Sequence, residues 1–342
     1  MLIPLTRPTL RRKDYNSVLN CMVTDQIAPG PLNHDFVAAS AKVLGTAGGV
    51  ALLSYRSCIR CALELLGLAP GEGIVISSLA PKEYLQVIEA SGLVAKVTDV
   101  DPDRALLSAD SVQKYVQAGA KAIVLYYTLG SLPASDDLFQ LGVPVIEDVS
   151  QAVGGLWEGK PCGSRGRAAL MSLDPGGFVT TGCGGAVFSR DRRGAKQLKE
   201  IAGEYCGDEY LPDMNAALGI SQMRELPRFL QKRNEIGQLF REALLRSRHV
   251  PLFQAGESLD FGFPILVKDG RPEVRRYVEK KNIQTEHAFK YAIAALEGLS
   301  VAETEPLLQA EQLLWRCLLF PLYPSLSRKD VQLMCKVLST LP

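Results

Sequence analysis

Val143-Pro144-Val145-Ile146-Glu147-Asp148 reads as a buried strand that ends on an acid. Its apolar residues do not alternate with polar ones, so both faces are expected to be covered, as in a parallel sheet between helix layers. Runs of the same texture recur at Gly73–Ser77, Val94–Val100, Ala122–Tyr127, Ala168–Leu173 and Gly185–Ser189. Helical spacing fills the gaps at Cys58–Gly67, Lys82–Ser91 and Ser108–Ala118. This βαβα alternation predicts an α/β fold with a mainly parallel sheet.

Further along, the texture changes. Leu226, Phe229, Leu230, Arg233, Ile236, Phe240, Ala243 and Leu244 fall on one helical stripe that is mostly apolar. A strand at Phe261–Val267, a helix at Arg271–Lys281, a strand near Asn282–Glu286 and a closing helix at Arg328–Thr340 follow. The expected division is a large α/β domain over 1–235 and a small α+β domain over 236–342, with no internal repeat.

Composition narrows the function. The 342 residues carry 38 Lys+Arg against 37 Asp+Glu, a net charge of +1, which leaves no electrostatic footprint for nucleic acid or an anionic membrane. Hydrophobic residues at 47% and charged residues at 22% are those of a globular chain, and the 30 Gly and 20 Pro are spread rather than clustered. No apolar run approaches a membrane span of about 20 residues. Pro4, Arg7 and Pro8 interrupt any signal-peptide core, so the expected location is the cytoplasm. The 8 Cys are then expected to be reduced thiols.

Few residues advertise chemistry. Asp148, at the carboxyl end of its strand, is placed either to face a ligand or to cap the following turn, and Gln151 lies one turn further on. The stretch from Pro175-Gly176-Gly177 to Gly182-Cys183-Gly184-Gly185 admits close backbone approach to a phosphate or simply a tight connection. Cys58 and Cys61 form a C-x-x-C pair near a helix start, which fits a redox motif or two small core residues one turn apart. His34, His249 and His287 lack partners at metal-ligand spacing, and no metal site is expected. Arg11-Arg12-Lys13 reads as a solvated helix face.

Nine segments occur in a telling order: Ile3-Pro4-Leu5-Thr6-Arg7-Pro8; Gly30-Pro31 with Phe36; Leu66-Gly67-Leu68-Ala69-Pro70-Gly71-Glu72; Val97-Thr98-Asp99-Val100-Asp101-Pro102-Asp103; Ile146-Glu147-Asp148-Val149-Ser150-Gln151-Ala152; Gly159-Lys160 with Gly163-Ser164; Thr180-Thr181-Gly182-Cys183-Gly184-Gly185; Ala216-Ala217-Leu218-Gly219; and Leu319-Phe320-Pro321-Leu322-Tyr323-Pro324. Together they resemble the DegT/DnrJ/StrS type of nucleotide-sugar aminotransferase, a family of fold type I pyridoxal phosphate (PLP) enzymes. The resemblance is collinear from residue 3 to residue 338. It implies an aspartate-aminotransferase-like large domain, a small C-terminal domain and a homodimer. In such enzymes a lysine forms a Schiff base with PLP, and an amino group passes from glutamate or glutamine to a ketosugar.

By the same resemblance Asp148 would pair with the pyridinium nitrogen, Gln151 would contact the ring hydroxyl and Ser172 would bind the phosphate. Arg56 or Ser57 would meet the same anion from a helix start. The Schiff-base lysine corresponds to Gly177, and neither Asp174, Pro175, Gly176 nor Phe178 supplies an amine. Other departures accompany it. The phosphate-binding Gly-Thr corresponds to Tyr55-Arg56, and the stacking aromatic falls near Leu79–Pro81, where none occurs. A partner-subunit Asn corresponds to Asp208 or Glu209, and the His after the Gln-Ala pair is Val153. The implied protein is therefore a degenerate member with no catalytic lysine. Its cofactor contacts are vestigial, with no PLP or pyridoxamine phosphate (PMP) bound or only weak binding. It would bind a nucleotide sugar or act as a partner subunit in surface-polysaccharide synthesis. A second reading keeps PLP- or PMP-dependent sugar chemistry without the lysine, and a third is thiol chemistry at Cys58 and Cys61.

Overall fold

The strand that carries Asp148 lies at the centre of a seven-stranded sheet. The structure is a computed structural model that describes residues 2–206, 209–296 and 306–342. Helices α1 (Arg12–Val23) and α2 (Pro31–Leu44) lead into β1 (Gly48–Leu52), α3 (Tyr55–Leu66), β2 (Gly73–Ser77), α4 (Glu83–Ala90), β3 (Val94–Thr98), α5 (Ala109–Gln117), β4 (Ala122–Tyr126) and β5 (Val145–Asp148). A hairpin of β6 (Leu156–Trp157) and β7 (Lys160–Pro161) precedes β8 (Ala168–Ser172), β9 (Gly185–Ser189), α6 (Arg192–Tyr205) and α7 (Asp213–Leu244). The C-terminal part holds β10 (Val250–Pro251), β11 (Phe263–Leu266), α8 (Arg271–Glu279), β12 (Glu286–His287), α9 (Leu308–Arg316), β13 (Cys317–Phe320) and α10 (Arg328–Leu338).

The strand order of the large sheet is β1-β9-β8-β5-β4-β2-β3. Six strands run the same way, and β9 alone is antiparallel to its neighbours β8 and β1. β2, β4 and β9 are buried at every residue, as expected for strands covered on both faces. One core layer joins α3, α4 and α6 to the sheet. The opposite layer is built by α2 and the first half of α7, through residues such as Phe36, Leu44 and Leu226.

The long helix α7 then passes to a third cluster. Its Ile236, Phe240 and Leu244 pack with β11, β13, α8 and α10 around a four-stranded antiparallel sheet of order β10-β11-β13-β12. At the crossing, the buried guanidinium of Arg233 donates through Nη1 to the carbonyls of Phe261 and Leu322, each at 2.6 Å, and lies 4.8 Å from the Phe178 ring. Burial pulls its pKa down to about 9.

One expected strand is displaced and one strand is unexpected, each for a physical reason. The strand expected near Asn282–Glu286 is shorter and lies at Glu286–His287, because Ile283 pairs instead with Ile3 from the start of the chain. Ile3 N donates to Asn282 O at 2.8 Å and Gln284 N to Ile3 O at 2.9 Å, so Ile3 packs in the third cluster rather than with the residues that follow it. The edge strand β1, for which the sequence carries no expectation, opens on Gly48-Gly49 and is held in register by β9 from Gly48↔Ser189 to Leu52↔Gly185. Among the described residues no helix is long and apolar enough to cross a membrane.

Candidate functional site

Because the strands are parallel, the residues that follow β1, β2, β5 and β8 all emerge at one edge of the sheet, where α/β folds place their ligands. Asp148 is the last residue of β5 and is fully buried. Its Oδ1 accepts from Ser150 N at 3.0 Å and from Ser150 Oγ at 2.6 Å. Its Oδ2 accepts from the Tyr84 hydroxyl at 2.7 Å and also from the Tyr55 hydroxyl. The two phenol oxygens lie 3.3 Å apart. A carboxylate offers about four acceptor positions, and here four donors take them. Burial pushes the Asp148 carboxyl above the usual carboxylate range, against the pull of these hydrogen bonds. Burial, and then the Asp148 charge, hold both phenols well above the ordinary tyrosine value, so they remain donors.

Local sequence explains both tyrosines. Tyr55 is the first residue of α3, whose start is capped by Ser54 Oγ accepting from Ser57 N at 3.4 Å. Its ring rests on the first residue of β9: a Cβ on Gly185 would come within 2.8 Å of Tyr55 Cδ2 and 3.1 Å of its Cα. Tyr84, fully buried, sits in the first turn of α4. Sequence reasoning found neither. In the sequence Tyr55 is only a departure from the family pattern, and the aromatic is expected at Leu79–Pro81, three residues short of Tyr84. The available signal is a tyrosine in the first turn of each of α3 and α4, the helices that follow β1 and β2.

The other expected contacts do not converge on Asp148. Ser172, at the end of β8, donates through Oγ to Asp174 Oδ2 at 2.8 Å, and its N–H reaches Ser150 Oγ at 2.8 Å. Ser57 Oγ donates to Glu209 Oε2 at 2.7 Å, and Arg56 is exposed. Asp208 lies outside the described residues. Gln151 turns to a neighbouring cleft of about 220 Å³, where its Oε1 accepts from Leu129 N at 2.5 Å. That cleft, lined among others by Leu79, Tyr126, Thr128 and Phe289, sits beyond β2 and β4, where the strand order reverses. Val153 is buried in the core.

The Gly-rich turn closes on itself. Gly177 N donates to Asp174 O at 3.0 Å, Thr180 Oγ1 to Leu173 O at 2.9 Å and Gly182 N to Thr180 Oγ1 at 2.9 Å. A Cβ at Gly177 would meet Val179 O at 3.0 Å and Asp174 O at 3.3 Å. The turn from Asp174 to Gly184 contains no lysine.

All eight cysteines are free thiols. Cys58 and Cys61 are both buried, and the thiol facing Cys61 is Cys206 at 3.7 Å, a neighbour that sequence spacing did not announce. Burial raises Cys58 and Cys61 well above the ordinary thiol, the opposite of an activated redox pair. His34 is exposed, His249 accepts through Nδ1 from Lys268 N at 3.2 Å, and among the described residues no cluster of His, Cys, Asp or Glu is placed to hold a metal ion.

The model of the DegT/DnrJ/EryC1/StrS aminotransferase family matches residues 8–339. Among solved structures, the aminotransferase TlmJ from Streptoalloteichus hindustanus superposes with a TM-score of 0.90 at 24% identity, covering 99% of this chain and 98% of that one. Helicobacter pylori PseC, an aminotransferase of pseudoaminic acid biosynthesis, gives 0.90 at 19% identity over 99% and 98%. A GDP-4-keto-6-deoxymannose-3-dehydratase (ColD) mutant with bound GDP-perosamine gives 0.86 at 18% over 98% and 100%. At these identities the likeness establishes the fold, which is that of fold type I.

Proposed function

We propose, from the premise that the chain belongs to the DegT/DnrJ/EryC1/StrS aminotransferase family, that it is a member without Schiff-base chemistry, acting by binding a nucleotide sugar or as a partner subunit. The observation that supports this reading is the turn around Gly177, the residue that the resemblance aligns with the family's lysine. The turn around it has no amine, and the space at its Cβ is bounded by Val179 O at 3.0 Å. PLP, where bound, supplies an electron sink that an anchoring lysine turns into amino transfer. Losing a positioned proton-transfer group alone costs about 10²–10⁴-fold in rate.

The residues around the site also fit a bound phosphate poorly. Ser172 and Ser57, the hydroxyls expected to meet it, donate to Asp174 and Glu209, so a phosphate would arrive beside two carboxylates. Asp148 has no acceptor position left for a ring nitrogen. The proposed setting is the cytoplasm, with a second copy of the chain as the natural partner. Retention of Asp148 favours one alternative, PLP- or PMP-dependent chemistry on a nucleotide-linked ketosugar without the lysine.

The absorbance spectrum of the purified protein, as isolated and titrated with PLP and then PMP, separates the two. The proposal expects no bound-cofactor band and no saturation, together with saturable binding of a nucleotide sugar by calorimetry. A saturable PMP complex, or amino transfer to a ketosugar nucleotide, overturns it.

A further inference from the structure

Asp148 is buried, charged when ionised and satisfied from within. Two of its four donors come from its own turn, at Ser150. The other two come from outside that turn, from helices that start after β1 and β2, and both land on the same oxygen, Oδ2. A heterocyclic N–H bound to Oδ2 would need a position within ordinary hydrogen-bond distance of that atom, which is where the Tyr55 and Tyr84 oxygens stand. The phenols touch each other across 3.3 Å, so no gap of atomic width separates them. The Tyr55 ring is seated by Gly185, whose missing side chain opens the space it fills.

We infer that Tyr55 and Tyr84 are a built-in occupant of the ring slot over Asp148, and that removing them re-creates a non-covalent site for a protonated hydroxypyridine that lacks a phosphate. The inference rests on the reading that this chain binds no cofactor as it stands. The phenols do for Asp148 what a pyridinium would do, giving a buried carboxylate its donors. They also explain how the acid persists beside a position without a lysine: its partners are now part of the chain. The preference for an unphosphorylated ring follows from Asp174 and Glu209, which hold the two hydroxyls nearest in sequence to a phosphate site.

The test uses the full chain, with pyridoxamine and PMP as probes, in the wild type and in a Tyr55→Ala/Tyr84→Phe variant. Binding is read by equilibrium dialysis and by calorimetry, and folding by circular dichroism. The wild type is expected to bind neither probe. The double variant is expected to bind pyridoxamine saturably, at least about tenfold more tightly than the limit the wild type sets, the scale of one charge-assisted hydrogen bond, and to bind PMP no better than pyridoxamine. Adding Asp148→Asn should abolish the gain. If the double variant fails to fold, Tyr55→Ala alone, which keeps the Tyr84 bond on Asp148, is expected to bind pyridoxamine more tightly than the wild type. A folded variant that binds neither probe overturns the inference and leaves the proposed function standing. A variant that binds PMP far better than pyridoxamine overturns the phosphate-free preference. Saturable binding of PMP by the wild type instead removes the premise itself.

Discussion

The Tyr84 hydroxyl donates to Asp148 Oδ2 across 2.7 Å, and both residues are fully buried, one at the start of α4 and the other at the end of β5. The bond ties two neighbouring parts of the sheet edge through a charged acceptor. Deleting this donor leaves a fully buried oxygen with the Tyr55 hydroxyl as its one remaining partner. Tyr84→Phe is therefore expected to destabilise the protein by about 1–3 kcal/mol, measured by denaturant unfolding. Tyr55→Phe acts on the same oxygen, so the double variant should depart from the sum of the singles, and strict additivity would show that the phenols do not share Asp148.

Alkaline pH should weaken the fold through the same residues. Burial and the Asp148 charge hold the Tyr84 proton well above the ordinary phenol value, so the folded pKa exceeds the unfolded one. Stability from such a group is whole below the unfolded pKa of about 10 and falls as pH rises through the window above it, by about 1.4 kcal/mol per pH unit per group. Tyr126 and Tyr127 are shifted the same way by burial and add to the slope. Unfolding midpoints measured from pH 8 to 11 should drop above pH 10, and less steeply in Tyr84→Phe. An equal slope in the variant would mean that the phenol does not retain its proton.

Elements and contacts differ in how far they can be read from this sequence. Strands such as Gly73–Ser77 and Gly185–Ser189 were legible to the residue, because burial on both faces leaves an uninterrupted apolar run. Asp148 stood out as the acid that ends such a run, with a ligand-facing and a turn-capping role both open, and its Oδ1 is taken by Ser150 of the following turn. Tyr55 and Tyr84 were not legible, since 93 and 64 residues of chain separate them from Asp148 and only the parallel topology brings three strand ends together. Cys206 was hidden from Cys61 in the same way, at a separation of 145 residues. Local pattern announces elements, whereas contacts between elements appear only with the topology.

The thiols should respond to alkylation by position rather than by spacing. Cys183 is exposed in the Gly-rich turn, whereas Cys58, Cys61 and Cys206 are buried and raised above the ordinary thiol by that burial. Only a thiolate reacts at speed. Native protein treated with iodoacetamide at neutral pH should carry label at Cys183 first, read by peptide mass spectrometry, with Cys58 and Cys61 labelled only after unfolding. Early labelling of the C-x-x-C pair would revive thiol chemistry as a function.

Restoring the lysine should not restore amino transfer. In Gly177→Lys the new Cβ would lie 3.0 Å from Val179 O and 3.3 Å from Asp174 O, both backbone atoms that yield only if the turn moves. That turn is pinned by Thr180 Oγ1 on Leu173 O and by Gly182 N on Thr180 Oγ1, so the substitution is expected to lower stability as well. An amine delivered there would still face an Asp148 whose acceptor positions are taken by Tyr55, Tyr84 and Ser150, and hydroxyls held by Asp174 and Glu209. Chromatographic assay of a ketosugar nucleotide with glutamate and PLP should show no amino sugar above background for Gly177→Lys. The combination of Gly177→Lys with Tyr55→Ala and Tyr84→Phe is the variant in which product could first appear. Turnover by the single variant would show that the lysine alone was missing and that the tyrosines leave the ring slot open.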